Sequence, residues 1–211
     1  MVTAHPFPER AIGLDAGLTH LLATSTGDFV ANQRFLQQRE KKLARSQRTL
    51  SRKKRGSKNR HKARKKVAKT HFKISSQRKD YLHKITRKLV DSYGLIVAED
   101  LHIHQMMKNR RLAKAIGDAG WGTLFEMLRY KAESAGSVFV QISPQYSSQE
   151  CLCGAMVKKT LRDRKHACLE CGTNEDRDTH ASKILLERYR RNYGNSSLTE
   201  NLSRGSVTQD A

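Results

Sequence analysis

The sequence predicts an α/β fold: a mixed sheet opened by an antiparallel meander, completed by parallel strands, and interrupted by a long helical hairpin. Three observations carry this. Short apolar runs of strand length recur along the chain, and the run after the hairpin is apolar throughout, as buried strands are. Between the third and fourth runs lies a basic stretch with apolar residues at helical spacing. Four cysteines in two close pairs mark a small module near the C-terminal end.

Ala11-Ile12-Gly13-Leu14-Asp15-Ala16 reads as the first strand and Leu18 to Ser25 as the second. Thr26-Gly27-Asp28 supplies a turn into a third short strand at Phe29-Val30, which closes the meander. Leu36, Leu43 and Leu50 then recur every seven residues until Arg55-Gly56-Ser57 interrupts them. Val67, Ile74, Tyr81, Ile85 and Leu89 follow on one side of a second helix. Residues 34–90 therefore read as two long antiparallel helices, each with a thin apolar seam and a basic outer face. Tyr93 to Asp100 forms the fourth strand. A helix near Trp121 to Ala135 follows, with Trp121 and Phe125 four apart and assigned to the core, then a strand from Ser137 to Ile142. The cysteine segment and a helix from about Asp178 to Arg191 complete the order. The Ser-, Asn- and Thr-rich tail at 193–211 is expected to be disordered. This order, βββ-α-β-α-β-(Cys module)-α, matches the ribonuclease H-like arrangement.

The chain has 211 residues and a formal net charge of +21, with a sequence pI of about 10.2. This length suits one domain carrying a small appendage. Its excess charge is local: residues 39–89 hold 22 Lys and Arg against two acids, Glu40 and Asp80, a net of +20. A solvated helical face usually mixes signs, whereas a one-sided excess suits a phosphate backbone, from which each Lys or Arg releases condensed counterions. Arg52, Lys53, Lys54, Arg55, Lys58 and Arg60 cluster at the hairpin tip and are the candidate phosphate contacts. No apolar run approaches the ~20 residues a membrane span needs. The N-terminus has no apolar signal region. A soluble cytoplasmic protein with a nucleic-acid partner, and no membrane, is the expectation.

Two carboxylates sit in apolar strands: Asp15 inside the first and Glu99 at the end of the fourth. An ionised group there is costly unless it is paired or binds metal. Asp178 opens the last helix. If the first and fourth strands pair in parallel, Asp15 and Glu99 become neighbours, and the last helix brings Asp178 beside them. Three converging carboxylates need a counter-cation, for which Mg2+ with its preference for oxygen is suited. Two such ions ~3.5–4 Å apart activate a water and stabilise the leaving oxygen of a phosphodiester. Singly, each acid has a plainer reading: a helix-terminal charge for Asp178, a strand end for Glu99.

Cys151-Leu152-Cys153-Gly154 and Cys168-Leu169-Glu170-Cys171-Gly172 resemble the paired knuckles of a zinc ribbon, in which four thiolates hold one structural Zn2+. The first pair is C-x-C, one residue short of the usual spacing, and His166 is a candidate substitute ligand should Cys151 not reach. Free thiols without metal are the alternative.

The chain resembles the OrfB/TnpB proteins encoded by bacterial insertion sequences, which are related to type V CRISPR effectors. The carriers are Ile12-Gly13-Leu14-Asp15-Ala16-Gly17, the run from Leu50 to Arg60, Val97-Ala98-Glu99-Asp100-Leu101, Ser147-Ser148-Gln149, the cysteine pairs and Asp176-Arg177-Asp178. They span about Arg10 to Leu186. This resemblance implies a RuvC-like nuclease domain over 10–150 plus 176–192, with a zinc ribbon at 147–175 inserted before the last acid. It implies that Asp15, Glu99 and Asp178 bind two Mg2+ ions and cut DNA. It also implies recruitment by a guide RNA, with sequence read by base pairing. Three departures stand out. The family's N-terminal recognition region has no counterpart here, which leads to the expectation of a truncated product. His180-Ala181-Ser182 stands where the family usually has Asn-Ala-Ala, so His180 is a candidate ligand or disturbance. The third departure is the short cysteine pair. The reading is a transposon-associated, Mg2+-dependent DNA endonuclease domain. The alternative is a non-catalytic nucleic-acid-binding remnant or regulator of the mobile element.

Overall fold

The computed structural model describes residues 5–160 and 163–194. Five strands form one sheet: β1 (Ala11–Ala16), β2 (His20–Thr24), β3 (Phe29–Ala31), β4 (Leu95–Glu99) and β5 (Val138–Ile142), in the order β3-β2-β1-β4-β5. β1, β2 and β3 pair antiparallel, while β4 pairs parallel with both β1 and β5. The meander and parallel half predicted from the apolar runs are therefore both present. Between β3 and β4 come α1 (Phe35–Ser51) and α2 (Lys58–Ser92); between β4 and β5 come α3 (Ile103–Met106), α4 (Ala113–Ala119) and α5 (Trp121–Ala135). β6 (Lys165–Ala167) and β7 (Asn174–Asp176) form a separate antiparallel pair, and α6 (Arg177–Tyr193) follows directly. Sequence periodicity did not reveal α3 and α4, which are too short to display a helical period. The tail expected to be disordered lies outside the described residues from 195 onward, and Tyr193 belongs to α6.

All five residues of β4 are buried because helices cover both faces of the sheet. Ile96 and Ala98 join Ile12, Leu14, Leu82, Trp121, Leu124 and Leu128 in the main core, under α2 and α5. Leu95 and Val97 point the other way and pack on Leu185, Leu186 and Tyr189 of α6. Side chains alternate along a strand. Asp15 thus shares a face with Gly13, and Glu99 with Val97, and that face is the one α6 covers.

The hairpin seam is as thin as its sequence suggests. Leu43, Ile74 and Leu89 are buried, whereas Leu36, Leu50, Val67, Tyr81 and Ile85 are half-buried. Ser57 caps α2, its Oγ accepting from Arg60 N at 3.1 Å. α1 has no such cap of its own; Arg34, at its start, has φ 48° and no side-chain cap bond. Its amides are satisfied from across the fold. Buried Asp118 of α4 accepts from Leu36 N at 2.9 Å and Gln37 N at 3.1 Å, and from Arg78 of α2 at 3.1 Å. One carboxylate thereby ties both arms of the hairpin to the body. Asp118→Ala would strand the Arg78 guanidinium and uncap α1, a loss of about 3 kcal/mol. The expected result is a melting temperature lower by roughly 6–12 °C for a chain of this size. An unchanged melt would contradict the role of Asp118 as a latch.

Candidate metal centres and basic hairpin

β1 and β4 run parallel with Leu14 opposite Ala98, so the next step along each strand brings Asp15 beside Glu99. Their carboxyl groups hydrogen-bond each other. Burial pushes Asp15 up to about 6, with the neighbouring charge of Asp178 adding to the shift. Burial likewise holds Glu99 well above the usual carboxylate range, and the charges of Asp15 and Asp178 raise it further. Buried Ser147, whose hydroxyl favours the charged carboxylate, opposes that shift. Two acids facing each other in a low-dielectric site share a proton unless a cation replaces it.

Asp178 is placed differently from the sequence expectation. Asp176 is the residue that caps α6, its carboxylate accepting from Asp178 N at 2.9 Å and Thr179 N at 3.1 Å. Asp178 occupies the first turn, half-buried, with its Oδ1 held by Arg177 Nε and Nη2, both at 3.0 Å. Its charge reaches Asp15 and Glu99. Yet the donor oxygens of the three acids do not all lie within 4.8 Å of one another, as the four thiols do. The fold brings Asp15 and Glu99 together and sets Asp178 at the edge of the pair, turned onto Arg177.

The cysteine module is tighter. Cys151 Sγ lies 3.6 Å from Cys171 Sγ, and Cys153 Sγ lies 3.8 Å from Cys168 Sγ. The edge of a tetrahedron built on Zn–S bonds of ~2.3 Å is about 3.8 Å. The short C-x-C spacing therefore does not prevent Cys151 from joining the other three, and four soft sulfur donors at this separation fit Zn2+. Burial pushes the Cys151 thiol up to about 12, while hydrogen bonds from Thr173 bring exposed Cys171 down to about 6.

One nitrogen each of His166 and His180 also lies within 4.8 Å of Cys151 Sγ. Both imidazoles are fully buried and stack face to face, with centroids 3.5 Å apart and planes at 16°. With Cys151 in reach of its partners, His166 is not needed as a substitute. His180 does not turn toward the acids: its Nδ1 meets Glu175 Oε1 at 2.7 Å and its Nε2 donates to Glu150 O at 3.0 Å.

At the hairpin tip Arg52, Lys53, Lys54, Arg55 and Lys58 are exposed. Arg60 is half-buried, and its Nη1 donates to the carbonyls of Leu50 and Lys53, each at 3.1 Å, closing the loop. From Lys58 to Leu82, where α2 meets the core, is 24 residues, about 36 Å of helix at ~1.5 Å per residue. The tip thus stands well beyond the part of α2 that packs on the main core.

The OrfB_IS605 family model, described as "Probable transposase", matches residues 2–110, and the "Cas12f1-like, TNB domain" model matches residues 121–185. A Streptomyces pristinaespiralis protein named "Putative RNA-guided DNA endonuclease" is 40% identical over 189 residues, covering 88% of this chain and 46% of the relative. The Escherichia coli K12 protein of the same name, InsQ, is 33% identical over 192 residues, covering 83% of this chain and 48% of the relative. The chain spans about half the length of these relatives. Its fold is similar to a chain from the cryo-EM structure of a Cas12f1-sgRNA-target DNA complex, with TM-score 0.59 at 16% identity, over 87% of this chain and 51% of the other. No described helix is long and apolar enough to cross a membrane.

Proposed function

The chain belongs to the OrfB_IS605 family of probable transposases, and from that membership and the acid pair on β1 and β4 we propose that it is a Mg2+-dependent, RuvC-like DNA endonuclease domain. The observation that carries this is the parallel register of β1 and β4, which sets Asp15 beside Glu99, with the charge of Asp178 reaching both. Such a cluster is unfavourable in the bare protein and suited to hard divalent ions. Asp15, Glu99 and Asp178 are assigned as the Mg2+ ligands, with Asp178 leaving Arg177 to complete the set. When bound, Mg2+ supplies the charge that activates a water and stabilises the leaving oxygen of a phosphodiester. Cys151, Cys153, Cys168 and Cys171 hold a structural Zn2+, and the ribbon they form helps load the strand to be cut. Arg52, Lys53, Lys54, Arg55 and Lys58 make the phosphate contacts, and Arg60 shapes the loop that presents them. DNA is the substrate. A guide RNA, read by base pairing, is the partner that the names of the relatives suggest.

The test is cleavage of labelled single-stranded and duplex DNA with and without Mg2+. Cutting that requires Mg2+ and disappears in Asp15→Ala is expected; undiminished cutting by that variant would overturn the assignment. A second reading, non-catalytic nucleic-acid binding, draws support from the engagement of Asp178 with Arg177. It requires tight, salt-sensitive binding that is the same in the parent chain and Asp15→Ala, with no cutting by either.

A further inference from the structure

Two of the three acid-bearing elements, β4 and α6, are approached by residues that flank the cysteines. Ser147, buried and with a hydroxyl that favours the ionised form of Glu99, lies four residues before Cys151. The turn that presents it is strained: Tyr146 has φ 59°, a conformation bulky side chains adopt only where the surroundings impose it. Pro144 O and Tyr146 O accept from Ser147 N and Glu150 N at 3.1 and 2.9 Å, closing that turn directly against the first knuckle. On the other side, β7 leaves the second knuckle and runs without a break into α6, two residues before Asp178.

The same segments grip α6 from outside. Glu150 is next to Cys151. Its carboxylate accepts from Arg188 Nη2 at 2.6 Å and Arg191 Nη1 at 3.1 Å, and its carbonyl from His180 Nε2. His180 stacks on His166, which lies two residues before Cys168. Lys159 Nζ, which donates to Ser148 O at 2.7 Å, also contacts His166 Nδ1. An ammonium can only donate, so Nδ1 accepts and the proton of the ring sits on Nε2. That buried Nε2 has no hydrogen-bond partner among the described residues, and one of the two ring nitrogens lies within 4.8 Å of Cys151 Sγ. A thiolate there, as in a metal-loaded site, would accept it.

We propose that the cysteine site is a positioning element of the acid cluster: metal at the four cysteines fixes the two knuckles, and through Ser147 and the His166–His180 stack it sets Glu99 and Asp178. Ser147 and His180 are positioning residues in this scheme, and His166 is a donor to the Cys151 sulfur and not a ligand. The inference rests on the reading of Asp15, Glu99 and Asp178 as a divalent-cation site.

The experiment is titration of the full, zinc-loaded chain with Mn2+, followed by electron paramagnetic resonance. Asp15→Ala identifies the signal that belongs to the acid cluster. Ser147→Ala and His180→Phe should each weaken that Mn2+ binding by about tenfold or more, while retaining one zinc per chain and parental circular dichroism. Ser147→Thr, which keeps the hydroxyl, should bind as the parent does. Removing zinc from the parent chain should weaken Mn2+ binding in the same sense. Parental Mn2+ affinity in Ser147→Ala and His180→Phe, or in the stripped chain, overturns the inference and leaves the acid cluster standing. Mn2+ binding by the parent that Asp15→Ala does not change overturns the acid cluster itself, and this inference with it.

Discussion

Asp15→Asn is expected to abolish cutting and yet to stabilise the metal-free chain. In the folded protein the carboxyl of Asp15 titrates at about 6, against an ordinary value of 3.8. Between those pH values the folded chain binds more protons than the unfolded one, so stability falls as pH rises through this window. Above it, the ionised group costs the fold on the order of 3 kcal/mol. Asparagine removes that charge while its amide still donates to Glu99, so the hydrogen bond between the strands survives. At pH 7.5 in the presence of a chelator, the variant should melt roughly 6–12 °C above the parent. At pH 4 the difference should close, because the Asp15 carboxyl then keeps its proton on folding. Mg2+ should raise the melting temperature of the parent and not that of the variant. A variant no more stable than the parent at pH 7.5 would mean that Asp15 is not paying a desolvation cost, and the reason for a cation there would be gone.

Gly13→Ala should have the largest structural effect of any single-methyl change at the site. A Cβ at Gly13 would lie 1.9 Å from the carbonyl oxygen of Ser182 and 2.9 Å from its carbon. Both belong to the backbone of α6, so no rotamer change relieves the overlap; the helix itself must move away from β1. Asp178 travels with it. A loss of at least ~3 kcal/mol is expected, read as a thermal melt lower by roughly 6 °C or more, together with loss of Mn2+ binding at the acids. A parental melt would show that α6 does not seat on β1 as described. Gly13 is therefore required for a reason unrelated to turns: its lack of a side chain lets the helix that carries the third acid approach the strand that carries the first.

Much of this was legible in the sequence because the signals are local. Strand-length apolar runs, the heptad of Leu36, Leu43 and Leu50, and the break at Gly56 depend on neighbours a few residues away, and the elements formed close to where those patterns place them. The parallel pairing of β1 with β4, and with it the meeting of Asp15 and Glu99, followed from element order and the handedness of connections. Signals spread over long separations were silent. Asp118 meets the amide of Leu36 from 82 residues away, and nothing in its own neighbourhood marks it as a helix cap. Asp178 read as the opening of the last helix, although Asp176, two residues earlier, takes the capping bonds. Both are acids at a plausible start, and only the backbone geometry separates them. Ser147 lay in a family motif with no role attached until the fold buried it where its hydroxyl favours the ionised form of Glu99.

The sequence alone determined the strand-length apolar runs that build the sheet, the four cysteines, the two strand-borne acids and a charge concentrated in one hairpin, since each follows from residue type and short-range pattern. Tertiary structure decided where those parts act. It extended the charged tip about 36 Å along α2 from the core, turned Asp178 onto Arg177, and stacked His166 on His180. The physical reason is common to all three. The direction a helix takes and the partner a charged or aromatic side chain finds are settled by which surfaces pack together, and packing joins residues whose separation along the chain carries no periodic trace.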